Sequence, residues 1–130
     1  MLFRSDWKEL NSDDIVIIPA FGTTLEIEAK LNKIGIETKT YNTTCPFVEK
    51  VWNMSDKLGK KEYSIVIHGK HKHEETKATF SHSEANSPSV IIRDIDEAKK
   101  LCEIITGQRP YDEFYILFES RYSKIGRAHV

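Results

Sequence analysis

Three side-chain types in this chain of 130 residues could act at one point: a thiol, an imidazole and a carboxylate. The thiol stands in Tyr41-Asn42-Thr43-Thr44-Cys45-Pro46-Phe47-Val48. A β-rich run, Ile36 to Tyr41, leads into it, and a helical pattern, Pro46 to Leu58, leads out. Proline is favoured at the first helical turn, because its missing N–H would be unpaired there anyway. Cys45 therefore falls at or beside an N-cap. Free N–H groups and the helix dipole favour a thiolate at that end. A thiolate is what a nucleophile or an iron–sulfur ligand must be. The plainer reading makes Cys45 a small buried hydrophobe.

The imidazoles gather around a second polar stretch, Gly69-Lys70-His71-Lys72-His73-Glu74-Glu75-Thr76, with His68 before it and His82 after. A zinc site would draw on His71 and His73 with His82 or Cys45, a spacing that matches no strong zinc pattern. A solvated loop is the plainest alternative. Anion recognition is the third reading, since a glycine-containing loop, Lys and His donors and a helix start make a ready phosphate site. Glu74 and Glu75 do not suit a bare phosphate site. A carboxylate beside one makes sense if it handles protons on the same substrate.

The elements that must position these groups follow from periodicity. Asp14 to Ile18 reads as a short apolar strand ended by Pro19. Thr23 opens a helix with Glu26 as its capping-box partner, and Gly35 closes it. Leu25, Ile27, Ala29, Leu31 and Ile34 supply its apolar face. Ile36 to Tyr41 is a second strand. In the helix after Cys45, Phe47, Val51, Met54 and Leu58 share one face. Tyr63 to His68 is the clearest buried strand, His73 to Ser81 a short helix, and Ser89 to Ile92 a further strand. Asp94 or Asp96 caps a helix through Leu101, Ile104 and Ile105, with Cys102 on its apolar face as core. Pro110 starts a last amphipathic segment carrying Phe114, Leu117, Phe118 and Tyr122. Strands alternating with helices indicate an α/β fold with a mostly parallel sheet and helices on both faces. Ligands in such sheets bind at the C-terminal ends of strands. Ala20 to Thr24, Thr43 to Cys45, and His68 to Thr76 all fall at strand ends.

Nineteen basic against 20 acidic residues leave a net charge of −1. That argues against a general nucleic-acid binder, which carries a basic excess. No apolar run approaches the ~20 residues of a membrane span, and the first residues lack the apolar core of a signal peptide. Two cysteines do not make a disulfide framework, so a reducing cytoplasm is the expected location. These observations alone allow a stand-alone α/β module that binds a phosphorylated ligand through Gly69 to Thr76.

Asn42 to Trp52 resembles the second cysteine motif of the 4-hydroxy-3-methylbut-2-enyl diphosphate reductases, the IspH/LytB family. Ile67-His68-Gly69-Lys70-His71-Lys72-His73-Glu74-Glu75-Thr76 resembles that family's His-x-Glu motif. Pro19-Ala20-Phe21-Gly22-Thr23 is similar to its preceding motif, in the branch where Phe replaces the commoner His. Order and spacing of all three agree, from about Trp7 to Lys124. The resemblance implies reductive removal of the hydroxyl of an allylic diphosphate, giving isopentenyl and dimethylallyl diphosphate in the non-mevalonate route to isoprenoids. It implies an oxygen-sensitive [4Fe–4S] cluster held by three cysteines, ferredoxin or flavodoxin as electron donor, and three α/β domains around the cluster. Cys45 would be a cluster ligand, His73 a diphosphate-binding residue, and Glu75 a member of the relay that protonates the leaving hydroxyl. Phe21 cannot donate the hydrogen bond that His makes at that position elsewhere in the family.

The family's Phe-Cys-x-Gly-Val, Gln-Thr-Thr and Ser-x-Asn motifs do not occur in this chain, and only one of the three cluster cysteines does. The resemblance therefore implies a truncated, internal segment that is inactive alone. Residues 1–43 would be the C-terminal part of a first α/β domain and 44–124 most of a middle one. Residues 125–130 do not continue the family pattern. They resemble the translation of a sequencing adapter and are expected to be a non-native tail.

Overall fold

A computed structural model of the chain describes residues 7–123. The order of elements is α1 (Leu25–Ile34), α2 (Pro46–Gly59), β1 (Ile65–His68), α3 (Glu74–Glu84), β2 (Ser89–Ile92), α4 (Ile95–Ile105) and α5 (Asp112–Leu117), after a 3-10 turn at Trp7–Glu9. The expectations placed on residues 125–130 lie outside the described residues.

The architecture is α/β. β1 and β2 run parallel in the register Ile65↔Ser89 to His68↔Ile92, with α3 as the crossover between them. The core lies between β2 and the last two helices. Val90 and Ile92 pack with Leu101, Ile104 and the fully buried Phe118, and Ala98, Tyr111, Phe114, Leu117 and Tyr122 close over them. α3 is the hub of the remainder, touching α1, α2, β1 and β2.

Local chemistry explains the helix ends. Thr24, one residue later than expected, caps α1 by accepting from the Ile27 N–H at 3.2 Å. Gly35 closes α1 at φ 94, a left-handed conformation that only glycine adopts without strain. Asp94, not Asp96, caps α4 by accepting from the Glu97 N–H at 3.0 Å. α3 begins at Glu74, with His73 as its N-cap, and continues past Ser81 to Glu84.

Several expectations are corrected. Asp14–Ile18 and Ile36–Tyr41 do not form strands among the described residues; the end of the first and the residue just after the second make a single parallel bridge, Ile18↔Asn42. Strands are held by neighbours, and here Ile15 and Ile17 remain exposed. β1 is not fully buried either. Its residues alternate half-buried and exposed, whereas every residue of β2 is buried. β2 is flanked by β1 and by a bridge from Tyr122, while β1 pairs, among the described residues, only with β2. Phe47, Val51 and Met54 of α2 share a face as expected, but that face is exposed. Cys102 is also exposed, because Leu101 and Ile104 take the inward positions of α4 and Cys102 stands about 100° round from Leu101.

Candidate functional site

Cys45 is the N-cap of α2, with Pro46 opening the helix as the sequence implies. Its carbonyl accepts from the Val48 and Glu49 N–H groups. Its own N–H donates to the Ala20 carbonyl at 2.8 Å. The approach to Cys45 is fixed by side chains: Thr43 Oγ1 and N–H both reach the Ile18 carbonyl, and Thr44 is held through N–H and Oγ1 by Asn42 Oδ1. Cys45 is thereby half-buried, between the Pro19–Thr24 loop and the first turn of α2.

The second group of residues stands at the C-terminal end of β1. Gly69 sits so close to Thr76 that a Cβ there would lie 2.6 Å from Thr76 Oγ1. The chain then turns through Lys70, whose carbonyl accepts from the His73 N–H, and enters α3. The His73 side chain makes no capping bond and is left for other partners. In the first turn Glu74 is taken by Lys77 Nζ at 2.9 Å. Glu75 instead lines an open cavity of about 480 Å³ together with His73. Val48, Val51, Ile65, Val66 and Ile67 form the apolar part of its wall, and His68, Thr76, Thr79 and Ser55 its other polar groups.

The structure thus brings His73 and Glu75 to one cavity with a polar and an apolar wall. Cys45 lies one helical turn before Val48 on that wall, beside the cavity rather than on it. His68 and Thr76 on the lining belong to the strand-end stretch that the sequence marks for ligand binding, though neither is given a role there. Ser55 and Thr79, also on the lining, carry no such signal, because they sit inside helices.

His82 belongs elsewhere. Its ring stacks on Trp52 at 3.7 Å between centroids and 7° between planes. Its Nε2 lies 3.2 Å from the Thr23 carbonyl, and since a carbonyl can only accept, Nε2 carries the hydrogen. Burial pushes its pKa below the usual histidine value, against the opposing effects of that bond and of Glu28. The zinc reading finds no support: among the described residues no three of His, Cys, Asp and Glu are placed so that they could hold a metal ion. The same holds for an iron–sulfur cluster. Cys45 is a suitable single donor, but Cys102 is exposed on α4, and the described residues cannot hold a cluster by themselves.

A family profile described as LytB protein matches residues 2–120. The chloroplastic 4-hydroxy-3-methylbut-2-enyl diphosphate reductase of Botryococcus braunii is 40% identical over 119 residues, covering 92% of this chain and 23% of that protein. The reductase of Gloeothece citriformis is 37% identical over 121 residues, covering 93% and 29% respectively. A solved structure of (E)-4-hydroxy-3-methyl-but-2-enyl diphosphate reductase, described as the terminal enzyme of the non-mevalonate pathway, superposes with a TM-score of 0.65. It is 27% identical, over 74% of this chain and 34% of that one. The Plasmodium falciparum enzyme structure, at 23% identity and a TM-score of 0.66, supports the fold. The chain spans about a quarter of the length of the curated relatives it matches.

Proposed function

This chain belongs to the LytB protein family, and from that premise we propose that it is a segment of a 4-hydroxy-3-methylbut-2-enyl diphosphate reductase. Residues 1–43 would complete a first α/β domain, and 44–124 would form most of a middle one. The whole enzyme would reduce an allylic diphosphate to isopentenyl and dimethylallyl diphosphate in the cytoplasm, with electrons from ferredoxin or flavodoxin. Among the described residues no helix is long and apolar enough to cross a membrane.

The observation that carries the reading is the shared cavity of His73 and Glu75. A five-carbon diphosphate has an anionic end and an apolar end, and this cavity has walls of both kinds. His73, at the N-cap of α3, can donate an N–H to a phosphate oxygen where unpaired backbone N–H groups and the helix dipole also favour an anion. Glu75 would be repelled by the same phosphates, so its role is at the hydroxyl end. It relays a proton to the hydroxyl oxygen, which leaves as water as the C–O bond breaks, while two electrons from the donor protein and a second proton taken up at carbon complete the allylic product. Val48, Val51 and Ile67 give the carbon chain an apolar wall to lie against. A [4Fe–4S] cluster is a property of the whole protein, to which Cys45 would lend one thiolate.

The test is single-turnover kinetics and substrate titration on the complete protein. Glu75→Gln lowers turnover by about 10²–10⁴, the usual worth of general acid help, with substrate affinity little changed. His73→Asn mainly weakens substrate binding. Normal turnover in Glu75→Gln, or the same binding defect in both variants, would sink the assignment. A stand-alone module binding a phosphorylated ligand through Gly69 to Thr76 would show affinity for diphosphate in the isolated chain and no dependence on Cys45.

A further inference from the structure

We propose that His82 is a positioning residue: stacked on Trp52 and bonded to the Thr23 carbonyl, it locks the Pro19–Thr24 loop that holds Cys45 onto the helix that carries His73 and Glu75.

The contacts form a closed circuit. Trp52 stands on α2, the helix that Cys45 caps. Its indole N–H donates to Thr79 Oγ1 of α3 at 3.2 Å, and its ring face meets His82 of α3. Its ring edge presses on Gly22 of the loop, where a Cβ would lie 2.2 Å from a ring carbon. His82 then returns from α3 to the same loop through the Thr23 carbonyl. The Leu25 N–H, donating to Ser81 Oγ at 3.0 Å, reinforces that join. One step further along the loop, the Ala20 carbonyl takes the Cys45 N–H. Displacing the loop therefore frees the backbone of Cys45.

The site needs a flat ring and an edge donor on one side chain. Phenylalanine would give the first and glutamine the second; histidine gives both. Its bond leaves its own helix for a loop 59 residues away, so it does more than satisfy a partly buried ring. What the lock means for catalysis rests on the reductase reading above; the lock itself does not, and it is tested on the chain alone.

The experiment is amide hydrogen exchange on the 130-residue chain. In His82→Ala the protection of the Cys45 and Thr43 amides falls about tenfold, the combined effect of one hydrogen bond and one ring stack. The Ile91 amide, bonded to the Arg121 carbonyl outside this circuit, keeps its protection. His82→Phe keeps a ring over Trp52 and restores part of the loss, leaving a deficit of about threefold. The proposal is overturned if Cys45 protection is unchanged in His82→Ala, or if it falls in step with Ile91. A wild-type Cys45 amide exchanging at the rate of an open chain would overturn it equally. None of these outcomes depends on substrate or activity, so failure here is distinct from failure of the functional assignment.

Discussion

Arg121 holds both oxygens of the Glu97 carboxylate, Nη1 to Oε2 at 2.6 Å and Nη2 to Oε1 at 3.0 Å. The Arg93 N–H donates to the same Oε2 at 2.7 Å. Both side chains are nearly buried, and Arg121 also reaches the Leu117 carbonyl. This pair ties the turn after α5 to the start of α4 over the core. The Arg121 bond holds the Glu97 carboxyl below its ordinary value.

Glu97→Gln leaves the Arg121 charge buried without its partner, at a cost of about 3–5 kcal/mol in urea unfolding. The sign of the acid response follows from the lowered folded-state value. The stabilisation is fully present above the unfolded glutamate value of about 4.3 and is lost as pH falls through the folded one. Wild type should therefore lose stability on acidification faster than Glu97→Gln does; parallel acid limbs would count against the pair.

His82 predicts a separate response at higher pH. Its folded-state pKa is lowered, chiefly by burial. The unfolded chain then binds the proton more readily, so stability falls as pH drops below the unfolded value of about 6.5 and levels off once the folded ring also protonates. His82→Phe removes this dependence. Denaturant midpoints between neutral and mildly acid pH, compared for the two proteins, read it directly.

In the complete protein, Cys45→Ser should abolish [4Fe–4S] absorbance and activity. The 130-residue chain reconstituted with iron and sulfide should bind no stoichiometric cluster. Such a cluster on the isolated chain would contradict its reading as a segment.

Gly59 closes α2 against the loop before β2. A Cβ there would lie 2.1 Å from Ser87 Oγ and 2.6 Å from the Asn86 carbonyl oxygen. Alanine gains helix propensity of up to ~1 kcal/mol, but a clash of about 1–3 kcal/mol with the Asn86 backbone and the buried Ser87 hydroxyl outweighs it. Gly59→Ala should lose about 1 kcal/mol net, while Cys102→Ser, on the exposed face of α4, should stay within about 0.5 kcal/mol of wild type. Thermal melts of the two variants test the contrast.

What the sequence made legible was local. Pro46 placed Cys45 at a helix start, glycine closed α1, and helical spacing of apolar residues located α2. What it hid depended on distant partners. The apolar run Ile15 to Ile18 reads as a strand, yet a strand exists only where neighbours pair with it. The Cys102 position fits an apolar stripe, yet Leu101 and Ile104 settle which way α4 turns. Three motifs pointed to the candidate site. The role of His82 could not be read from them, because it depends on Trp52 and Thr23, 30 and 59 residues away.

The long reach of the His82 bond has a consequence for the order in which the chain folds. Thr43 meets Ile18 across 25 residues, and His82 meets Thr23 across 59. Closing such loops costs chain entropy before any contact repays it, so they form after α1, α2 and α3 have each coiled locally. The surroundings of Cys45 are then among the last parts of the molecule to be completed. Until they are, its thiol is open to oxidants that the finished fold partly shields, which makes refolding under reducing conditions the way to recover the chain with Cys45 intact.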